Sequence, residues 1–210
     1  RIPNLFRRFF AEGAFNQAFI PIYSDFEKAN NKNNTDEFLN SLAGILISSL
    51  FVFTILVLIF APIFIFIFAP GFYFDPIKKD ISVNVLRIMF PYLALISLVS
   101  FAAGIQNTHN KFSIPAFTPI IFNLSLIIAA IFIAPMYEMP IYVLAWGVLL
   151  AGIFQLLLQL IPLRQINRLP IPKLNINNEG VNQFFKLILP AILAGGVIQI
   201  NLLVDTIFAS

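Results

Sequence analysis

Long hydrophobic stretches separated by short polar segments make up most of this chain. Residues 38–74, 88–108, 112–137 and 139–163 contain no charged side chain. A helix that crosses a bilayer needs about 20 consecutive, mostly apolar residues, so each stretch is long enough to form one. The alternating segment IFIFIF within residues 38–74 has the period of a strand, but the length of the uncharged run favours a helix.

Two further stretches, residues 1–24 and 181–210, complete a set of about six predicted transmembrane helices, so the fold class is an all-α membrane protein. Pro62 is expected to kink the second helix, Pro70 to end it, and Arg87 to open the third. Polar, turn-forming residues predict connecting loops at 25–38, 75–84, 107–113, 136–140 and 164–180.

The composition supports insertion in a membrane and excludes several kinds of chemistry. Hydrophobic residues make up 59% of the chain and charged residues 11%, against about 25% charged residues in soluble domains. The chain contains no cysteine and one histidine, which argues against disulfides and metal sites. The scattered basic residues argue against nucleic-acid binding. Because the sequence contains no familiar catalytic motif, we do not expect an enzyme.

The basic residues of the connectors predict the orientation of the helices. The loops after the first, third and fifth predicted helices contain Lys28, Lys32, Lys111, Arg164, Arg168 and Lys173, whereas the other loops contain Lys78 and Lys79 beside acidic residues. Cytoplasmic loops carry an excess of lysine and arginine, so the first set is predicted to be cytoplasmic.

The opening stretch combines a hydrophobic character with fixed charges. Arg1, Arg8 and Glu12 fall on one helical face, with Arg7, Asn4 and Asn16 beside it. Charges within a membrane normally face a bundle interior or a wet cavity, and arginine binds phosphate through a planar fork. One interpretation is therefore a cavity for an anionic, phosphate-bearing ligand. The alternatives are a helix end whose arginines reach the lipid headgroups, or an amphipathic helix on the membrane surface.

A second intramembrane charge, Asp205, lies one helical turn after Asn201. These oxygen atoms suit Na⁺ coordination, or the carboxylate can carry a proton, so Na⁺ or H⁺ is the coupling-ion candidate. The alternative is an acid at the aqueous end of the helix. Gln155 and Gln159 are one turn apart in the fifth predicted helix, and we expect them to form hydrogen bonds between helices. We expect Arg87 to be an interfacial anchor.

The segment RIPNLFRRFFAEGAFNQAFIPIYSDF resembles the region of the MurJ (MviN) lipid II flippase family that reads close to PNLLRRxFAEGAFxQAFVPV. FAPGF at 68–72, NTHNKFSIPAFTPIIFN at 107–123 and DTIFAS at 205–210 are similar to blocks of the same family, in the same order. The family belongs to the multidrug/oligosaccharidyl-lipid/polysaccharide transporter superfamily. The resemblance implies two helical lobes around a central cavity and fourteen helices in all. On this basis the chain is an internal piece, in which residues 1–180 form most of the N-terminal lobe (family helices 2 to 6) and residues 181–210 form family helix 7.

The same resemblance implies a function and a site. The expected activity is transfer of lipid II, a polyprenyl-pyrophosphate glycopeptide, to the outer leaflet by alternating access. Arg7 and Arg8 match the family's arginine pair at the cationic cavity, Glu12 matches the glutamate of AEGAF, and Asn4 lies beside them. We expect a monomer in the bacterial cytoplasmic membrane, with lipid II and membrane lipids as partners and no resident cofactor. A polysaccharide-lipid flippase, an ion-coupled drug extruder and a structural membrane subunit are the alternatives.

Overall fold

A computed structural model describes residues 14–190, and within this range all regular structure is helical. The helices are α1 (Ala14–Lys28), α2 (Lys32–Ile59), α3 (Ala61–Phe68), α4 (Pro70–Tyr73), α5 (Pro76–Met89), α6 (Pro91–Thr108), α7 (Ser113–Ile128), α8 (Pro140–Gln165) and α9 (residues 179–190). A π-helical turn (Ala129–Ile133) and a 3₁₀ turn (Ala134–Met136) continue α7.

Four of these helical segments are long and apolar enough to cross a membrane. They are α2, the α5–α6 unit Pro76–Thr108, α7 with its terminal turns (Ser113–Met136), and α8. They confirm the predicted second to fifth membrane helices. The predicted first and sixth helices extend into residues 1–13 and 191–210, which lie outside the described range, and α1 and α9 are their described parts.

The loop predicted at 25–38 is wrong, because only residues 29–31 leave the helical conformation there. Asn30 adopts a left-handed conformation with φ of 53°, which ends α1. Asn31 then begins α2, since its side chain accepts a hydrogen bond from the backbone N–H of Asn34 at 3.3 Å. The polar residues that suggested a loop lie on helical turns at the end of the bundle.

The loop predicted at 75–84 is also wrong, as is the start of the third helix at Arg87. Asp75 caps α5 by accepting hydrogen bonds from the backbone N–H groups of Ile77 and Lys78 at 3.1 and 3.2 Å, and Pro76 suits the first helical position. The helix thus begins eleven residues before Arg87. At about 1.5 Å per residue, the 33-residue unit Pro76–Thr108 is longer than the roughly 30 Å hydrocarbon core, so its charged first turns extend beyond it.

The predicted second helix is interrupted near both of its prolines, Pro62 and Pro70. The helical hydrogen bonding of α2 ends at Phe60, and Pro62 lies in the first turn of α3, which confirms the expected kink. Ala69 has φ of −148° and ends α3 before Pro70, as predicted. The segment IFIFIF is helical within α3 rather than a strand.

The connectors after α1, α6 and α8 lie at the same end of the bundle. Asn30, Asn110 and Asn167 have positive φ angles of 53°, 58° and 54° and follow these three helices. After the last turns of α6 and α8, the backbone N–H groups of Lys111 and Arg168 donate to the carbonyls of Gln106 and Leu163 at 2.9 and 3.0 Å. This pattern is a Schellman-type helix end. Glu27 at the end of α1 lies 3.6 Å from His109 and 2.9 Å from Arg168, so the three connectors with the predicted cytoplasmic charge excess share one face, which we call the basic end.

An aromatic cluster joins the helices near the basic end. Phe19 stacks on Tyr23 with ring centroids 5.3 Å apart and meets Phe101 of α6 edge to face at 5.2 Å. Phe38 of α2 and Phe184 of α9 complete the cluster, and all five side chains are buried. Aromatic pairs of this kind add to the stability gained from burial. The cluster fixes α1 between α2, α6 and α9.

The connector after α8 crosses α2 at a glycine. The backbone N–H of Lys173 donates to the carbonyl of Asn40 at 2.9 Å, and Ile171 N–H donates to the Asn40 side chain at 2.6 Å. A Cβ atom added at Gly44 would overlap the backbone of Lys173. The close approach of the two segments thus depends on the missing side chain.

We expect Gly44→Ala to lower the unfolding free energy by about 1–3 kcal/mol, because the connector must move away from α2. The thermal unfolding temperature of the purified full-length protein measures the loss. Gly71→Ala is the matched control, since a Cβ at Gly71 meets no atom within 4 Å. Equal unfolding temperatures for the two variants would contradict the expectation.

Candidate functional site

The six residues predicted to bind the substrate or an ion lie outside the described range. Arg7, Arg8, Glu12 and Asn4 precede Ala14, and Asn201 and Asp205 follow Pro190. Their roles stay predictions. Asn16, which flanks the predicted charged face, is the nearest polar residue of that helix within the described range, and it reaches a polar chamber.

The polar chamber is a cavity of about 240 Å³ between α1, α6, α7 and α8. Its polar lining residues are Asn16, Ser100, Thr118, Asn123, Gln155 and Gln159, and its apolar ones include Tyr92, Ile96 and Phe122. Within the described residues, no acidic or basic side chain lines it. The described part of the lining is therefore polar and uncharged, inside a hydrophobic bundle.

A buried hydrogen-bond network borders the chamber. Gln155 donates to the backbone carbonyl of Thr118 at 2.9 Å, and Gln159 donates to the Thr118 hydroxyl at 2.8 Å. Gln106 of α6 donates to the side-chain oxygen of Gln159. Gln155 and Gln159 thus join α8 to α7 and α6, which confirms the expected bonding between helices.

A charged cluster at the basic end was missed by sequence reasoning. The Arg168 guanidinium holds Glu27 through two nitrogen atoms, at 2.9 Å from Nε to Oε1 and 3.1 Å from Nη2 to Oε2. Its third nitrogen, Nη1, donates to Asp36 at 2.7 Å. Burial lowers the pKa of Arg168, but the hydrogen bond and charge of Glu27 outweigh it, and the net effect raises that pKa. This arginine stays charged and ties the connector after α8 to α1 and α2.

The single histidine belongs to the same cluster. His109 Nε2 forms a hydrogen bond with the hydroxyl of Tyr23 at 2.8 Å and lies 3.6 Å from Oε1 of Glu27. The described residues contain no group of three or more His, Cys, Asp or Glu side chains that suits a metal ion. One indication of this cluster was present in the sequence. Glu27 and Asp36 lie in a segment predicted as a loop, on the same predicted side of the membrane as the basic connectors.

Arg87 is exposed, and its Nε donates to the backbone carbonyl of Leu58 at 3.1 Å. Leu58 lies in the last turn of α2, where carbonyl groups lack partners within the helix. Arg87 thus supplies a hydrogen-bond donor to a carbonyl group at the end of α2, next to the break at Phe60. It takes no part in the polar chamber.

An apolar groove of about 930 Å³ lies at the end of the bundle opposite the basic end. The end of α7, the turns after it and α8 form the groove, with Trp146, Tyr142, Met136 and Glu138 among its lining residues. Tryptophan and tyrosine are common at membrane interfaces. The groove is consistent with contact with lipid.

The helices, their hydropathy and the polar interior define a multi-pass α-helical membrane protein. The sequence profile of the family described as lipid II flippase MurJ matches residues 1–210. The chain belongs to the MurJ family.

Two relatives and one solved structure show the extent of the likeness. The probable lipid II flippase MurJ of Buchnera aphidicola (subsp. Acyrthosiphon pisum) is 45% identical over the whole chain, which covers 41% of that protein. The lipid II flippase MurJ of Burkholderia cenocepacia is 37% identical, and the chain covers 42% of it. A solved lipid II flippase MurJ in an inward closed conformation aligns with 97% of this chain and 41% of its own, with 28% identity and a TM-score of 0.73. The chain therefore spans about two fifths of the length of these relatives.

Proposed function

We propose that this chain is part of a flippase that moves lipid II from the cytoplasmic to the outer leaflet of the bacterial cytoplasmic membrane. The observation that carries the proposal is the family match over all 210 residues. It is supported by identities of 37–45% to relatives named as lipid II flippases or probable ones. The basic end corresponds to the cytoplasmic side in this proposal.

In the proposed mechanism, Arg7 and Arg8 bind the pyrophosphate of lipid II. Their guanidinium groups hold charge at all physiological pH values and match phosphate oxygens in pairs. Glu12 and Asn4 position the arginines, with Glu12 one helical turn from Arg8. The polar head is enclosed between two lobes while the polyprenyl tail remains in lipid, and the cavity then reopens outward.

The lobes and the energy source are part of the same proposal. Residues 1–180 form most of the N-terminal lobe, and residues 181–210 form the first helix of the next, in a protein that acts as a monomer among membrane lipids. Asp205 and Asn201 bind the coupling ion, Na⁺ or H⁺. A membrane potential also biases the cycle, since one charge moved through 100 mV corresponds to about 2.3 kcal/mol.

The test is transport by the full-length protein in liposomes with fluorescent lipid II, where a membrane-impermeant quencher reports the outer leaflet. We expect lipid II to exchange leaflets much faster than in protein-free liposomes. A polyprenyl-linked polysaccharide precursor is the comparison substrate. Transport of that precursor without transport of lipid II would replace the proposal with a polysaccharide-lipid flippase, and transport of neither would overturn it.

A further inference from the structure

Two residues that line the polar chamber carry a hydrogen-bond acceptor without a partner among residues 14–190. Gln155 lines the chamber and is 1% exposed, and its side-chain oxygen is buried without a hydrogen bond in the described part of the chain. The side-chain oxygen of Asn16 is likewise buried and unpaired among the described residues. Buried polar atoms normally have partners, so these oxygens indicate a ligand or bound water.

The orientation of the Gln155 amide is fixed by its own donor. Its nitrogen donates to the backbone carbonyl of Thr118 at 2.9 Å. Because a carbonyl oxygen only accepts hydrogen bonds, the amide cannot be reversed without losing this bond. The oxygen of Gln155 is therefore the acceptor left without a partner, on a residue that lines the chamber.

The space around Asn16 depends on a glycine of α6. A Cβ atom at Gly104 would lie 3.1 Å from the Asn16 side-chain oxygen and 2.9 Å from the ring of Phe19. The missing side chain lets α1 approach α6 closely while Asn16 keeps its place at the chamber. In the sequence, Asn16 follows Glu12 of the predicted charged face by four residues.

These features define the ligand chemistry. The unpaired oxygens repel phosphate, and a cation would lose its hydration with no carboxylate among the described lining residues to compensate. Uncharged groups that carry O–H or N–H donors fit the site. Its volume of about 240 Å³ is below the roughly 300–1,000 Å³ of pockets for drug-sized ligands, so it accommodates one ring or one short branch.

We propose that the polar chamber is a subsite for the uncharged hydroxyl and amide groups of the glycopeptide head, separate from the arginines that bind pyrophosphate. This assignment rests on the proposed flippase function. Gln155 and Asn16 accept hydrogen bonds from the head, so the chamber distinguishes a glycosylated polyprenyl pyrophosphate from the bare lipid. The arginines supply affinity for both.

The test compares the binding of two ligands to the full-length protein in detergent, lipid II and a polyprenyl pyrophosphate without a glycopeptide. We expect the wild type to bind lipid II more tightly. Gln155→Met removes one acceptor with little change in volume and is expected to weaken lipid II binding about threefold to tenfold. Binding of the bare polyprenyl pyrophosphate should not change.

Gln165→Met, the same substitution at an exposed position of α8, is the control and should leave both affinities unchanged. Asn16→Ala tests the second acceptor if Gln155→Met fails to fold, with the same selective loss expected. An equal loss for both ligands, or no loss for either, would overturn the subsite while leaving the flippase function intact. Failure of the wild type to bind lipid II at all would instead overturn the proposed function.

Discussion

Replacing Arg7 by alanine in the full-length protein is expected to abolish lipid II export while folding and membrane insertion persist. In the proposed site, the Arg7 guanidinium pairs with a pyrophosphate oxygen away from water. Truncating one partner of a desolvated, hydrogen-bonded charge pair costs about 2–5 kcal/mol or more, which is at least about 30-fold in affinity. Arg7→Lys should retain part of the transport, because lysine keeps the charge but loses the planar fork.

Two measurements check this expectation. The liposome assay gives the rate of leaflet exchange, and growth of a strain depleted of the native protein gives the result in cells. Arg164→Ala is the matched control, since Arg164 is an exposed arginine at the end of α8. Normal growth of the depleted strain on the Arg7→Ala variant, at wild-type protein levels, would contradict a role for Arg7 in the cavity.

The hydrophobic pattern was sufficient to predict the second to fifth membrane helices. Long uncharged runs have few alternatives in lipid, because only a helix satisfies all of its own backbone groups within one segment. The prolines were similarly informative, and the break at Phe60 before Pro62 follows from local sterics. Pro70 marks the end of α3 for the same reason.

The helix ends were harder to predict because polar residues near a membrane surface suit a loop and an exposed helical turn equally well. Asp75 and Asn31 are both followed by helix, and both are side chains that cap helix starts. A search for these caps would have moved the starts of α5 and α2 to the observed positions. Composition alone placed the boundaries too far into the apolar runs.

The polar contacts inside the bundle were also predictable only in part. Gln155 and Gln159 were predicted as partners between helices from their spacing, and their actual partners, Thr118 and Gln106, required the fold. The charged cluster could not be derived from spacing, because Arg168 and Glu27 are 141 residues apart. The chamber is also a tertiary feature, since four helices contribute its lining.

The loss of Arg168 is expected to lower the stability of the protein. Arg168→Met leaves the carboxylates of Glu27 and Asp36 at the basic end without the guanidinium that bonds to both. Removing one partner of a fully buried pair costs about 3–5 kcal/mol, and exposed pairs contribute about 0–1 kcal/mol. The side chains of Arg168 and Glu27 are 14% and 21% exposed, so we expect about 2 kcal/mol, between these limits.

Thermal and denaturant unfolding of the purified full-length protein in detergent measures this loss. Arg164→Met is the control, because the exposed Arg164 forms no ion pair within residues 14–190. The double variant Arg168→Met with Glu27→Gln should recover part of the stability, since it removes a carboxylate that the single variant leaves without its cation. If Arg168→Met and Arg164→Met unfold alike, the cluster does not hold the connector to α1 and α2, and the docking of that connector depends instead on the contacts of Asn40 and Gly44.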